Sequence, residues 1–181
     1  MTRWSMGMMA GFGLLVVTAG PARAQADTPL SRATLRGLPG VEVIVESLDD
    51  NVEREGLHEA DIQADVRLAL RLAGIRMLTE TESHATASSP FLYVSVSTQR
   101  RSDMALYAYE THVEVHQMVT LASGARAFAM TWDAIGEVGS LYVLSIQDIR
   151  GRVKEGVNQF VNAWLAVNPK RPSPPPNAYL P

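Results

Sequence analysis

"ALYAYETHVEVHQMVTLASGARAFAMTWDAIG", residues 105–136, carries the pattern on which the fold turns. Aromatic and β-branched residues alternate with acids, imidazoles and amides at a period of two, as in strands that are wet on one face. Ser123-Gly124 reads as a two-residue hairpin loop, which sets Val119 against Phe128, Val115 against Trp132 and Val113 against Ala134. Just upstream, "FLYVSVST" (91–98) is a strand of the same kind. A turn at Arg101-Ser102 sets Val96 against Tyr107, Val94 against Tyr109 and Leu92 against Thr111. A one-residue slip would carry a strand's whole apolar set to the other face. Both turns place Leu92, Val94, Val96, Tyr107, Tyr109, Val113, Val115, Val119, Phe128 and Trp132 on one side, and that side is the predicted core.

Two helical patterns supply the cover. In "HEADIQADVRLALRLAG" (58–74), Ile62, Val66, Ala69, Leu70 and Ala73 share one helical face, and Gly74 stands where a left-handed C-terminal residue belongs. His58 occupies the N-cap, a place better served by Ser, Thr, Asp or Asn. A second helix is predicted from Ile146 to Val167, with Ile149, Val153, Val157, Phe160, Val161 and Trp164 as its stripe. Ser145 and Asp148 resemble a capping box with Asp for the usual Glu. Gly151 and Gly156 each weaken a helix by about 1 kcal/mol relative to Ala, so they mark candidate sites of close packing on the sheet. "VEVIVESL" (41–48) and "IRML" (75–78) read as two further strands, with a polar loop at 49–56 and a surface loop at 79–90. The predicted fold is α+β: a two-layer sandwich of about five mostly antiparallel strands with two helices on one face. It occupies residues 41–168 as a single domain, after an N-terminal extended segment at 25–40.

The two ends have other compositions. Arg3, the apolar run Met6 to Val17 and the small residues of "GPARAQA" have the layout of a secretory signal peptide spanning residues 1–24, with cleavage after Ala24 or Ala26. The run falls short of the roughly 20 apolar residues that span a bilayer. The mature chain is therefore expected to be soluble, exported to the periplasm or secreted, and not membrane-spanning. There is no cysteine, so the fold must stand without disulfides, and thiol catalysis, cysteine-held metals and a lipidated cysteine are all excluded. Without Arg3 and Arg23, 14 of the 16 basic residues remain against 19 acidic ones, a net charge near −5. That balance argues against nucleic acid as a partner. The tail at 169–181, "PKRPSPPPNAYLP" from Pro169, is proline-rich and expected to be a disordered spacer.

"LRGLPGVEVIVESL", "LRLAGIRML" and "FVNAWLAVNPK" resemble segments of small exported bacterial proteins of uncharacterised function. At the level of fold, the order of elements is similar to envelope-assembly modules such as the lipopolysaccharide-assembly lipoprotein and the N-terminal domain of the Tol translocation protein. The resemblance implies an envelope location and brings no catalytic motif; the lipidated cysteine of the first and the propeller of the second are missing.

Chemistry is sparse. No phosphate-binding glycine loop, nucleophile elbow or HExxH motif occurs. "DDNVEREG" has Asp49, Asn51 and Glu53 at calcium-loop spacing, but Arg54 replaces the required Gly and Ala60 the final Glu. What remains is "ETHVEVHQM" (110–118). Its Glu110, His112, Glu114 and His116 fall on the face opposite the core, with Glu114 across from Asp133, His112 across from Ile135 and Phe91, and His116 across from Thr131. Opposed carboxylates repel, and a divalent ion held by His112 or His116 with Glu114 and Asp133 would relieve them. Against this, His112 and His116 lie about 13 Å apart along a strand, too far for one ion. The same face carries Phe91, Tyr93, Met118 and Ile135, more apolar surface than a solvated sheet needs. These residues point to a partner-binding surface, for an envelope protein or a second copy of the chain. The expected function is thus a soluble exported binding or envelope-assembly module without catalysis or cofactor. The alternative is a small metal-assisted hydrolase built on the His/Glu/Asp patch.

Overall fold

The computed structural model describes residues 27–101, 103–134, 136–142 and 145–169. The segment expected to be a signal peptide, Ser102, expected in a turn, Ile135, expected on the outer face, and the tail beyond Pro169 lie outside the described residues. In chain order the elements are α1 (Pro29–Ala33), β1 (Glu42–Val45), α2 (Asp50–Arg54), α3 (Glu59–Ala73), α4 (Glu80–His84), β2 (Phe91–Arg101), β3 (Leu106–Thr120), β4 (Arg126–Asp133), β5 (Glu137–Tyr142) and α5 (Asp148–Val167).

The fold is α+β, as its alternating and helical patterns require. A five-stranded, mostly antiparallel sheet runs β1-β2-β3-β4, with β5 pairing the first half of β3 and β4 its second half. The strand β1 lies parallel to β2, a connection that needs a long crossover, here filled by α2, α3 and α4. Helices α3 and α5 pack on each other, on β1 and on β3. Ile62, Val66 and Leu70 from α3 and Ile149, Val153, Val157, Phe160 and Trp164 from α5 join Leu92, Val94, Tyr107, Tyr109, Val113, Val115 and Trp132 in one buried core. His58 does occupy the N-cap of α3, without a side-chain cap bond, and Gly74 closes the helix at φ 74°.

Several expectations are corrected. Residues 75–78 form no strand; only an isolated parallel bridge joins Val41 to Met77, and the fifth strand is β5, a segment too rich in Gly and Ser to announce itself. The N-terminal segment is not extended throughout, because Thr28 caps α1 with Pro29 at its first turn. The loops at 49–56 and 79–90 contain α2 and α4, capped by Asp49 and by a Thr79/Glu82 capping box. The N-cap of α5 is Gln147, with no side-chain cap bond, so Ser145 and Asp148 form no box. Gly156 fits the close-packing expectation: a Cβ there would stand 2.8 Å from Cγ2 of Val113. Gly151 does not, having nothing within 4 Å.

Both hairpin registers also differ. In β2–β3, Val94 pairs with Val113 and Arg101 with Leu106, a four-residue offset from expectation. Four is even, so every side chain keeps its predicted face. At the other hairpin, Leu121 donates its N–H to Ala125 O, so the loop is Ala122-Ser123-Gly124, with Gly124 at φ 84°. Three-residue loops commonly end in such a left-handed glycine. The extra residue is absorbed by a bulge beside Val115/His116. Trp132 still faces Val115, but Met118 now meets Phe128 and Val119 meets Ala127. Phe128 therefore leaves the predicted core and points outward, 52% exposed.

Candidate functional site: the outer face of the sheet

With α3 and α5 on one face, β3 presents its even-numbered residues on the other. Alternation along a strand puts Glu110, His112, Glu114, His116 and Met118 in a row there, and the neighbouring strands complete the surface. His112 lies opposite Ser95, Glu114 between Tyr93 and Asp133, and His116 between Phe91 and Met130. Thus His112 does not face Phe91, nor His116 Thr131, as the shorter loops had implied. Ile135 lies outside the described residues.

The polar row is linked along the strand. Nε2 of His116 donates to Glu114 Oε2 at 2.8 Å. Nε2 of His112 stands 3.1 Å from Glu110 Oε1, and its Nδ1 3.5 Å from Glu114 Oε1. Carboxylates only accept, and a neutral imidazole has one N–H, so His112 can donate to both neighbours only as a cation. Glu114 and Asp133 are directly paired across the strands. Burial raises the carboxyl pKa of Asp133 above its usual value, and the Glu114 charge adds to the rise. Among the described residues, no group of three or more His, Asp and Glu is disposed to hold a metal ion. His112, Glu114 and His116 are instead occupied with one another.

The aromatic part is contiguous with that row. Phe91 stacks on the His116 ring at 5.0 Å and 5°, and Tyr93 meets the same ring edge-on at 5.9 Å. Phe128 tilts against Phe91 at 5.9 Å. The Tyr93 hydroxyl donates to Glu46, and that bond first, then burial, raises the hydroxyl pKa. Beside Met118, half-buried, lie Phe128 and Met130, the latter 40% exposed. Phe91, Tyr93 and Met118 are therefore where the alternation put them, whereas Phe128 and Met130 were missed. The signal for both was present: "LASGA" accommodates a three-residue loop as well as a two-residue one, and only the former puts Phe128 beside Met118.

One other apolar surface competes. Between α3 and α5 runs a cleft of about 390 Å³, walled by Ala69, Ala73, Val157 and Val161, with Leu68 and Leu72 on its lip. Asp65, held by Arg150 and Lys154, closes one end. Its walls are side chains of the helix stripes, so the cleft is the seam of the helix pair. No helix among the described residues is long and apolar enough to cross a membrane. No protein-family model matches the chain, and no curated protein matches it.

Proposed function

We propose that this protein is an exported binding or envelope-assembly module that works through the outer face of its sheet, without a catalytic step. The observation that carries the reading is the composition of that face. An apolar centre of Phe91, Phe128, Met118 and Met130 adjoins a polar row of four alternating acids and imidazoles. An apolar centre beside a polar rim is the make-up of a protein–protein interface. A face meant only for water would not expose Phe128 and Met130 side by side. Support for the location comes from the signal-peptide layout of residues 1–24, from the resemblance of the chain's segments to small exported bacterial proteins, and from the fold-level similarity of its element order to envelope-assembly modules. The partner is then an envelope protein or a second copy.

A photo-crosslinking residue placed at Phe128, and separately at Leu72 on the helix layer, tests the reading in cells. Adducts of defined mass are expected from position 128 and not from position 72. Adducts from 72 alone would move the binding surface to the helices.

A further inference from the structure

We propose that the occupant of the outer face is a cationic segment of another polypeptide, seated by an apolar side chain on Phe91 and Phe128 and by Arg or Lys side chains on the carboxylates beyond them. The proposal rests on the reading of this face as the binding surface and specifies the chemistry of what binds.

Charge is the first argument. Glu46, Glu110, Glu114 and Asp133 sit on or beside the row. Among the described residues, the ion pairs made by Arg and Lys all lie elsewhere and reach none of these four. Among the described residues, the basic groups within ion-pair distance of Glu110 and Glu114 are His112 and His116. The arginines of the face, Arg101 and Arg126, lie at the far ends of their strand pairings and are engaged by Asp103 and by Ala87 O. With the imidazoles neutral, the four carboxylates have no Arg or Lys paired with them among the described residues, and Glu114 directly faces Asp133. Like charges so placed repel. A partner's guanidinium or ammonium would replace repulsion by charge-assisted hydrogen bonds. A phosphate-bearing partner, whether nucleic acid or lipid headgroup, would add to the repulsion.

Arrangement is the second. The apolar and acidic parts of the face meet at His116 and are displaced from each other along β3. Phe91, Phe128 and Met130 surround His116, whereas Glu110 and the Glu114/Asp133 pair lie toward the start of β3. Glu110 and Glu114, four residues apart on one strand, stand about 13 Å from each other. The fitting segment is therefore directional: an apolar anchor first, then cations spaced to reach two carboxylate positions. Arginine suits it best, since its planar group also stacks on aromatic rings such as Tyr93.

The test is binding of a fluorescent peptide of alternating Leu and Arg to the full chain, against a Leu/Glu peptide of equal length. The expected result is saturable binding of the Leu/Arg peptide alone, weakened about tenfold or more in high salt as screening shortens the Debye length. The Glu110→Gln, Glu114→Gln, Asp133→Asn triple variant should lose binding to a similar extent while keeping its fold by circular dichroism. Equal binding of both peptides, lost on replacing Phe128 with Glu, would overturn the cationic assignment and leave the face as a docking surface. Leu/Arg binding indifferent to every substitution on the face would overturn both. Self-association of the chain abolished by Arg67→Glu and Arg71→Glu on the exposed side of α3 would name a second copy as the occupant and overturn the proposal.

Discussion

Asp27 and Asp133 are joined through the backbone, Asp27 N–H donating to Asp133 O at 3.3 Å, yet they are expected to answer pH in opposite senses. The Asp27 carboxylate accepts from Arg32 at 2.5 and 2.6 Å and from Trp132 Nε1 at 3.1 Å. The Arg32 bond, more than any other contact, holds its pKa below the ordinary value, which burial opposes. Its stabilising contribution is therefore present above the unfolded-state pKa near 3.8 and is lost as pH falls through the lower, folded value. Asp133 is the reverse: its folded pKa is raised, so stability declines as pH climbs from 3.8 through that higher value. Asp27→Asn should lower the denaturation midpoint at pH 7 and cease to matter in strong acid. Asp133→Asn should raise the midpoint at pH 7, with the gain fading in acid. Urea titrations of both variants at pH 7 and at the lowest pH where the fold persists check the pair of signs. Two changes of the same sign would mean that one of these environments is misassigned.

Among the elements, α5 offers a controlled comparison, because its two glycines sit in unlike surroundings. Gly156→Ala drives a methyl to 2.8 Å from Val113 Cγ2 and 3.6 Å from Ala134 Cβ, and overpacking of this sort costs about 1–3 kcal/mol. Gly151→Ala meets nothing within 4 Å and should stabilise by about 0.5–1 kcal/mol through helix propensity. Thermal midpoints of the two variants should move in opposite directions, and Val113→Ala should rescue the first. These elements also show where a sequence is legible. Long patterns with punctuation were readable: α3 from its stripe and Gly74, and β2 and β3 from alternation. The faces survived a wrong β2–β3 register because the offset was four, an even number. Loop length was not readable from Ser123-Gly124, and the bulge that compensates it kept Trp132 opposite Val115 while turning Phe128 outward. The helices α1, α2 and α4, five residues each, are too short for a periodic stripe. Their caps, Thr28, Asp49 and Thr79, were in plain view. Of the candidate site, the polar row and Phe91, Tyr93 and Met118 followed from period two alone, whereas Phe128 and Met130 depended on the loop.

At the scale of the molecule, the two layers are tied together at Trp132. It is fully buried, faces Val115 in the sheet and meets Phe160 of α5 edge-on at 5.5 Å. Trp132→Ala should cost about 3–5 kcal/mol, as large-to-small core replacements do, and an unchanged denaturation midpoint would contradict the assigned inner face. Among the described residues, no helix packs on the sheet's other side as α5 does at Trp132, and the side chains there are expected to be exchangeable with little cost to the core. That independence permits a direct test of whether the outer face binds a partner. The measurement is co-purification from envelope extracts, together with metal content, for the tag-free chain carrying Tyr93→Glu and Met118→Glu and for the chain carrying His112→Gln and His116→Gln. The first pair is expected to fold normally and to lose a partner that the unaltered chain retains; the second is expected to retain most of it. If instead the glutamine pair loses a bound divalent ion and a hydrolytic activity, while the Tyr93 and Met118 replacements change nothing, the binding account is contradicted and the His/Glu/Asp patch is a metal centre.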